Sequence, residues 1–564
     1  MAAAVTKAAD DFRFLHWHLA FPDVMHAGGF DCLLGNPPWE RIKLQEKEFF
    51  AARSEAIATA PNKAARERLI QALRAADASD ADRALVREFE LAKREAEGSG
   101  EFIRGSGRFG LTAVGDLNTY ALFAEHFLNL IGPDGRAGLI IPSGIATDFS
   151  CKDYFKHLVD RKVLISLLGF DNARKIFPSV HPDTPFSLVT LGHNSCPTDI
   201  VHYALAVGDL TDSRRHFSID ANDLSLINPN THTCPSFRSQ MDALVTQKIH
   251  RSAPVLCDNL KKSEWGFDYM TKMFDMANDS GKFMKYDELS GEAAIIDGKT
   301  FDLNGTHYWP LYEAKYINIY NHLWNMPRVD HEQKQNVARR SPMVQTRYWI
   351  RKDLVLDRIA SKNWNRSWVI GWRDVTNATN ERTLIASMIP LSGIGHTIRI
   401  AFFSTDTPRS IFALGALSSL VLDFVARQKV GGTHLTVSTL SQIPFIPPSG
   451  ISDSDLEFIV PRVSSLAISS ELLEDTRAEI QEYGYKLFAY QPVDFFKAEL
   501  DAYYAHLYGL TRDELRYILD PSDLMGPDYP SETFRVLKNN EIRQFGEYRT
   551  QRLVLEAWDR LFGR

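Results

Sequence analysis

The sequence predicts an α/β chain: a partial doubly wound sheet with a helical insertion, then a mixed domain and a C-terminal helical region. Three observations predict it. Between Phe30 and His193, short apolar runs that read as buried strands ("DCLLG", "AGLIIPS", "VLISLLGF", "PFSLVTLGH") alternate with segments of helical spacing. That alternation is the pattern of a mostly parallel sheet covered by helices. From about Asn304 to Pro448 the pattern changes to short aromatic segments broken by Asn, Gly and Pro, and from about Ser452 to Arg564 helical periodicity takes over.

In chain order, "GGFDCLLGNPPW" reads as a turn, a buried strand and a stiff loop. Lys43 to about Glu97 is rich in Ala, Arg, Glu and Gln, which suits solvated helices inserted after that loop. In "GDLNTYALFAEHFLNLIGPDGRAGLIIPSGI", Asp116 or Asn118 is positioned to cap a helix carrying Tyr120, Phe123, Phe127 and Leu130 at helical spacing. "GPDG" then predicts a turn and "AGLIIPS" a strand. The helix "KDYFKHLVDR" and the strand "VLISLLGF" follow, then a further strand in "DNARKIFPSVHPDTPFSLVTLGH". These readings divide the chain into a sheet domain at 1–205 with an insertion at about 43–100, an irregular linker at 206–300, a mixed domain at 301–450, and helices at 451–564. The helical spacing of "DFFKAELDAYYAHLYGL" and "YRTQRLVLEAWDRLF" carries the last assignment.

A length of 564 residues calls for more than one domain, and 44% apolar with 24% charged residues is ordinary globular composition. The net charge of −7 gives no support to general polyanion binding, although a local basic cleft can sit on an acidic protein. The five cysteines are scattered, without a CxxC pair, which argues for reduced thiols over a disulfide scaffold or a zinc site. No apolar run reaches the length of about 18 residues needed to span a membrane, and "MAAAVTKAADDF" lacks a secretory pattern. A cytoplasmic protein is the expectation.

The informative stretch is "LLGNPPWERI". Two prolines in a row remove two backbone donors, fix their own φ angles and push the preceding residues out of the helical region. The loop therefore stays extended at a strand's carboxyl end, where open α/β sheets place their ligands. It offers two acceptors, the Asn36 amide oxygen and the Pro37 carbonyl, beside the Trp39 ring. Exocyclic amines of nucleobases are poor nucleophiles because the lone pair is conjugated with the ring. Two acceptors aimed at such an amine draw it toward tetrahedral geometry, and a flat aromatic face holds the base plane.

"GFDCLLGNPPW" resembles the catalytic motif of amino-methylating DNA methyltransferases, specifically the adenine-specific gamma class. In that family the loop is followed by a helix with an Asn-Tyr centre, a turn and an apolar strand ending in Pro, an order that "LNTYALFAEHFLNLIGPDGRAGLIIPSGI" fits. The resemblance implies catalytic roles for Asn36, Pro37, Pro38 and Trp39. It also implies that Phe177, in "KIFPSV", stacks on the other face of a flipped adenine. Further on, "PLYEAKY", "GWRDVTNATNERT" and "GGTHLTVSTLSQIPFIPP" resemble the target-recognition domain of type IIG restriction–modification methylases, and "ELDAYYAHLYGL" and "FGEYRTQRLVLEAW" their C-terminal helices. The resemblance covers nearly the whole chain and implies S-adenosylmethionine as methyl donor and double-stranded DNA as partner.

In that family the glycine-rich loop that holds the donor lies upstream of the NPPW motif, and only 35 residues precede Asn36 here. The expectation is an incomplete methylase, either truncated or one chain of a split enzyme whose partner chain supplies the donor-binding half, with Asn36 and neighbouring backbone touching the donor's amino-acid end. "GSGRFG" has the spacing of a dinucleotide loop at Gly105, Gly107 and Gly110, but it follows a helical stretch instead of a strand and reads as a connector. "HWH" would place His16 and His18 on one face if extended, with no third ligand in view. Ser143 in "PSG" lacks a nucleophile-elbow pattern.

Lys315, Arg351, Arg373, Arg382 and His434 sit among aromatic and Asn/Thr residues and are candidates for phosphate and base-edge contacts. Individually each reads more readily as a solvated charge or helix partner than as a base reader, and Arg373, between Trp372 and Asp374, as a structural ion pair. The reading that unites these features is the catalytic-loop and target-recognition portion of an adenine-specific DNA methyltransferase. Its rivals are a non-catalytic DNA-binding specificity subunit and a protein-interaction scaffold in a phage-defence complex.

Overall fold

Six residues, Phe30–Gly35, form the first strand, β1, which pairs in parallel with β2 (Ile131–Pro142), placing Gly35 opposite Leu139. The computed structural model to which they belong describes residues 2–75, 78–193, 195–259, 263–326, 344–488 and 492–563. Its chain divides into two compact units: unit 1 is Met1–Ser225 with Thr231–Cys234, and unit 2 is Leu226–Asn230 with Pro235–Arg564.

In unit 1, β3 (Leu164–Phe170), β4 (Phe186–Leu191) and β5 (Asp199–Ala204) complete a five-stranded sheet in the order β1-β2-β4-β3-β5. The sheet is mixed, not mostly parallel. β1 with β2 and β3 with β5 are parallel pairs, but β4 runs antiparallel to both β2 and β3. Apolar runs report burial and are silent on direction, so a strand covered on both faces reads alike in either sense.

"GPDG" does not form a turn ahead of the strand. β2 absorbs it as a bulge, the register passing from Phe30 opposite Ile131 to Cys32 opposite Arg136. Gly135 lets the two backbones close at this point, since a Cβ there would lie 2.3 Å from the Phe30 carbonyl oxygen.

The strand directions bring Gly35, Pro142, Phe170 and Ala204 to one rim of the sheet, together with the start of β4 at Phe186. Above β1 lies the helix Thr119–Leu130, capped by Asn118, whose side chain accepts from the Tyr120 amide at 3.4 Å. A Cβ on Gly35 would sit 3.0 Å from the Phe127 ring, so glycine is what lets this helix approach the strand end. The insertion consists of the helices Glu46–Ala51, Glu55–Ala58, Lys63–Ala72 and Asp80–Gly105, closed on a small core of Phe49, Phe50, Ile57, Ile70 and Phe89. The long Asp80–Gly105 helix begins with a reciprocal capping box between Ser79 and Asp82.

Unit 2 contains a four-stranded sheet (Asp268–Met270, Trp368–Arg373, Ala386–Pro390, Ile398–Phe402) and a six-stranded one that includes Thr306–Tyr312 and Tyr348–Arg351. Trp349, Trp368 and Trp372 are fully buried within it. One continuous core joins Ile370 and Leu384 to the helix Leu420–Lys429 and on to Tyr504, Leu515 and Trp558. The mixed segment and the C-terminal helices are thus packed as one body, and the sequence position near 450 is no packing boundary. No single helix among the described residues is long and apolar enough to cross a membrane. The helices Thr407–Ser418 and Leu420–Lys429 pass such a test only as a pair bent by 60°, and both are core helices with nearly every residue buried.

Two glycine substitutions should therefore differ in sign. Gly135→Ala forces the β1–β2 bulge apart and should destabilise unit 1 by about 1–3 kcal/mol. Gly98→Ala, inside a helix with nothing within 4 Å, should stabilise by about 0.5–1 kcal/mol. Urea unfolding followed by circular dichroism reads both shifts.

Candidate functional site

With two amides missing, the NPPW loop is held by groups around it. The Pro38 carbonyl accepts from the Thr119 hydroxyl at 2.5 Å, and the Glu40 amide donates back to that hydroxyl at 3.0 Å. The Thr119 amide, in the first turn of its helix where no intrahelical acceptor exists, donates to the Glu40 carbonyl at 2.9 Å. Ile42 donates to Leu117 at 3.0 Å and extends the same contact. Pro37 is buried under this arrangement and Asn36 is exposed. Among the described residues, neither the Asn36 amide nor the Pro37 carbonyl has a hydrogen-bond partner.

Trp39 turns inward. Its indole Nε1 donates to the Ile140 carbonyl of β2 at 3.2 Å, and its ring packs at 27° on Phe186, with 6.4 Å between centroids. Phe186 in turn stacks on Phe170 (5.2 Å, 7°) and meets Phe177 edge-on (4.7 Å, 70°). Trp39 and Phe177 are brought into contact, with 6.2 Å between centroids and 83° between planes. The two rings therefore touch edge to face, and they do not stand as parallel walls of an open slot. A base between them requires Phe177 to swing aside.

Asn172 holds Phe177 in place. This asparagine is fully buried. Its Oδ1 accepts from the Phe177 amide at 3.0 Å, while its Nδ2 donates to the carbonyls of Phe177 (3.1 Å), Val180 (3.1 Å) and His181 (3.4 Å). Sequence reasoning missed both Asn172 and Phe186. The "DN" after strand β3 signals a turn, but nothing local shows that one amide closes a loop reaching to His181.

Burial acts on the neighbouring polar groups. Burial pushes the Cys151 thiol up to about 11, and the Asp148 carboxyl is also raised by burial, opposed by Arg41. The Tyr120 hydroxyl lies 4.0 Å from the Cys151 sulfur. A protonated, buried thiol is no nucleophile. Ser143 shares a buried hydrogen bond of 2.8 Å with Ser187 and meets no base there. Trp17–Ala20 is a short helix, so "HWH" is not extended, and among the described residues no three metal-binding side chains cluster. In "GSGRFG", Gly105 is the last residue of a helix, in keeping with a connector.

In unit 2, the basic candidates fall into two groups. Arg373 donates through Nε to the Ile317 carbonyl at 2.9 Å, and its expected pairing with Asp374 is not formed. Asp374 instead holds Arg399 and His434, each at 2.9 Å. Arg382 is nearly buried, with Nε on Asp423 at 2.8 Å and Nη2 on the Ser418 carbonyl at 2.6 Å. Asp423 is fully buried and also accepts from Arg427 and from the amides of Thr383 and Leu384, so Arg382 belongs to an internal network. Lys315 (beside Glu313 at 3.0 Å), Arg351 (on Asp353) and His434 are each about half exposed. Ile317 brings Arg373 near the Lys315 turn, and Asp374 joins it to His434, so these three share one region, whereas Arg351 ends a strand of the six-stranded sheet.

No family model matches the chain, and no curated protein matches it. Among solved structures it is similar to the type IIL restriction–modification enzyme MmeI in complex with DNA, at 13% identity and a TM-score of 0.40, covering 81% of this chain and 55% of that one. It is also similar to the type IIG restriction endonuclease BpuSI, at 12% identity and a TM-score of 0.25, covering 75% of this chain and 52% of that one. The chain thus spans about half the length of either enzyme. Likenesses of this size assign neither fold nor activity.

Two substitutions test the local architecture. Asn172→Ala should release the amide of Phe177 to hydrogen exchange and leave the Val180 carbonyl without a donor, at a cost of about 1–3 kcal/mol, since the Phe177 and His181 carbonyls keep the amides of Val180 and Thr184. Asp423→Ala should cost about 3–5 kcal/mol in thermal or urea unfolding, because it strands Arg382 and Arg427 inside unit 2.

Proposed function

We propose that this chain is the target-base and target-recognition part of an adenine-specific DNA methyltransferase of a restriction–modification system. The observation that carries the reading is the rim itself. Among the described residues, the exposed Asn36 amide and the carbonyl of the buried Pro37 have no hydrogen-bond partner, and both stand on a rigid loop at the carboxyl end of β1, beside the rings of Trp39 and Phe177. Two fixed acceptors and an aromatic platform are what an exocyclic adenine amine needs in order to be held and oriented. In this reading the base enters where Phe177 now rests, stacks on the rings and presents its amine to Asn36 and Pro37. Lys315, Arg351 and His434 are the exposed groups of unit 2 for contacts to double-stranded DNA.

The residues present do not fit S-adenosylmethionine. Among the described residues no glycine-rich turn follows a strand next to β1, and "GSGRFG" closes a helix. Asn36 alone makes no donor site. What supports a further polypeptide segment at this place is β1. It lies at an edge of the sheet, has no buried residue, and leaves Leu34 80% exposed. An apolar strand with an open edge is a template for another strand, and a donor-binding chain that pairs there would complete the site.

A second reading, a DNA-binding specificity subunit without activity, is favoured by the closed contact between Trp39 and Phe177. Expression of the chain with a donor-binding partner in a host free of adenine methylation, followed by sequencing for N6-methyladenine, separates the two. The enzyme reading expects modified adenines in a fixed sequence context, lost in Asn36→Ala. Methylation that survives Asn36→Ala, or DNA binding without any methylation, sinks it. Trp39→Ala should weaken binding of a flipped adenine by about 1–3 kcal/mol, measured with duplexes carrying an unpaired adenine.

A further inference from the structure

A cavity of about 550 Å³ opens in unit 2, and none of its walls comes from the NPPW loop. The volume lies within the range of small-molecule sites. It is enclosed by the helix Val493–Leu507, the start of Arg549–Phe562, and the turn from Asn318 to Trp324.

Its acidic groups are already engaged. Asp494 pairs with Arg549 at 3.1 Å, Glu541 accepts from the Thr550 amide and hydroxyl, and Glu381 accepts from Asn540 at 3.0 Å. Asp501 takes the Leu420 amide at 2.7 Å, and burial pushes its carboxyl up to about 6. Of its donors, Arg549 is engaged on Asp494 and Arg382 on Asp423 and the Ser418 carbonyl, while Lys497 and two asparagine amides make no such contact among the described residues. The Lys497 ammonium makes no hydrogen bond or ion pair among the described residues, and burial lowers its pKa. Asn318 and Asn321 use their side-chain oxygens on the amides of Ile319 and Leu323, and among the described residues both NH2 groups have no acceptor. Between them Tyr320 is held at φ 60°, a conformation that costs a bulky side chain energy. At the rim, the Trp324 ring is 42% exposed.

The Lys497 ammonium feels the nearby Asp494, Asp501 and Glu381 carboxylates but bonds to none of them, and with the two amides it presents three donors to a space that an acceptor-rich ligand would match. An exposed indole at the mouth adds a stacking platform for a base. We propose that this cavity binds a nucleotide, its phosphate on Lys497 and the Asn318 and Asn321 amides, its base on Trp324. The nucleotide comes either free or as one residue of a DNA strand. The site is independent of the function proposed for the sheet rim.

Calorimetric titration of the full chain with AMP, with inorganic phosphate, and with a short single-stranded oligonucleotide tests it. Binding of AMP, competed by phosphate, identifies a free nucleotide. Binding of the oligonucleotide but not AMP identifies the DNA strand. In either case Lys497→Met should weaken binding about tenfold or more, the loss expected for one charge-assisted contact. In the unsubstituted chain, the bound ligand should protect Lys497 from acetylation by acetic anhydride, mapped by peptide mass spectrometry. No binding of any probe at millimolar concentration, or binding that leaves Lys497 as reactive as before, overturns the proposal.

Discussion

The geometry of unit 1 depends on how a loop without amides is held. Pro37 and Pro38 have no N–H groups, so the segment cannot bond itself to the sheet. The first turn of the helix Thr119–Leu130 supplies what is missing, a hydroxyl for the Pro38 carbonyl and an otherwise unused amide for the Glu40 carbonyl. Gly35 lets that helix come close enough, because its neighbour there is the Phe127 ring. The result aims Asn36 outward and Trp39 inward from a single rigid turn. The loop's stiffness and its attachment are two parts of one device, since prolines alone would leave it extended but unplaced.

The inward-facing half has its own energetics. Trp39, Phe177, Phe186 and Phe170 fill the rim with their mutual contacts, worth about 0.5–1.5 kcal/mol per ring pair beyond burial. A base that stacks there gains about 1–3 kcal/mol. The two quantities are comparable, so exchanging the Phe177 edge for the face of a base is close to neutral. The Phe177 backbone need not move, and Asn172 keeps it from moving. A fixed backbone with a replaceable ring restricts the change to one side-chain rotation.

Much of this was legible in the sequence, and the exceptions share a cause. The strands, the inserted helices, the Asn118 cap and the stiffness of the Asn36–Trp39 loop follow from local composition and spacing. The direction of β4 does not, because periodicity is the same read either way. The "GPDG" bulge looked like a turn because its residues are turn formers. Only the pairing of Cys32 with Arg136 shows that the strand continues through it. Phe186 acts through rings on other strands and loops, and Asn172 through a loop that folds back on it between Phe177 and His181, a closure that no local pattern announces. Arg382 looked like a surface cation because its buried partner, Asp423, is far along the chain. Nothing local marks Lys497, because the turn at Asn318–Asn321 that shares its cavity lies far away in the chain.

The fate of the arginines bears on DNA binding. A chain of net charge −7 must gather cations locally to hold a polyanion. Yet Arg373 and Arg382 serve unit 2 internally, and Lys315, Arg351 and His434 each face a carboxylate. For Lys315 and Arg351, a DNA phosphate would replace Glu313 or Asp353, and exchanging one ion pair at the surface for another gains little, while His434 is tied to the buried Asp374. Affinity for DNA would then have to come from shape and base contacts more than from charge, with only a shallow dependence on salt. A weakly charged reader of this kind would need the flipped base, or a second chain on β1, to hold the duplex in place.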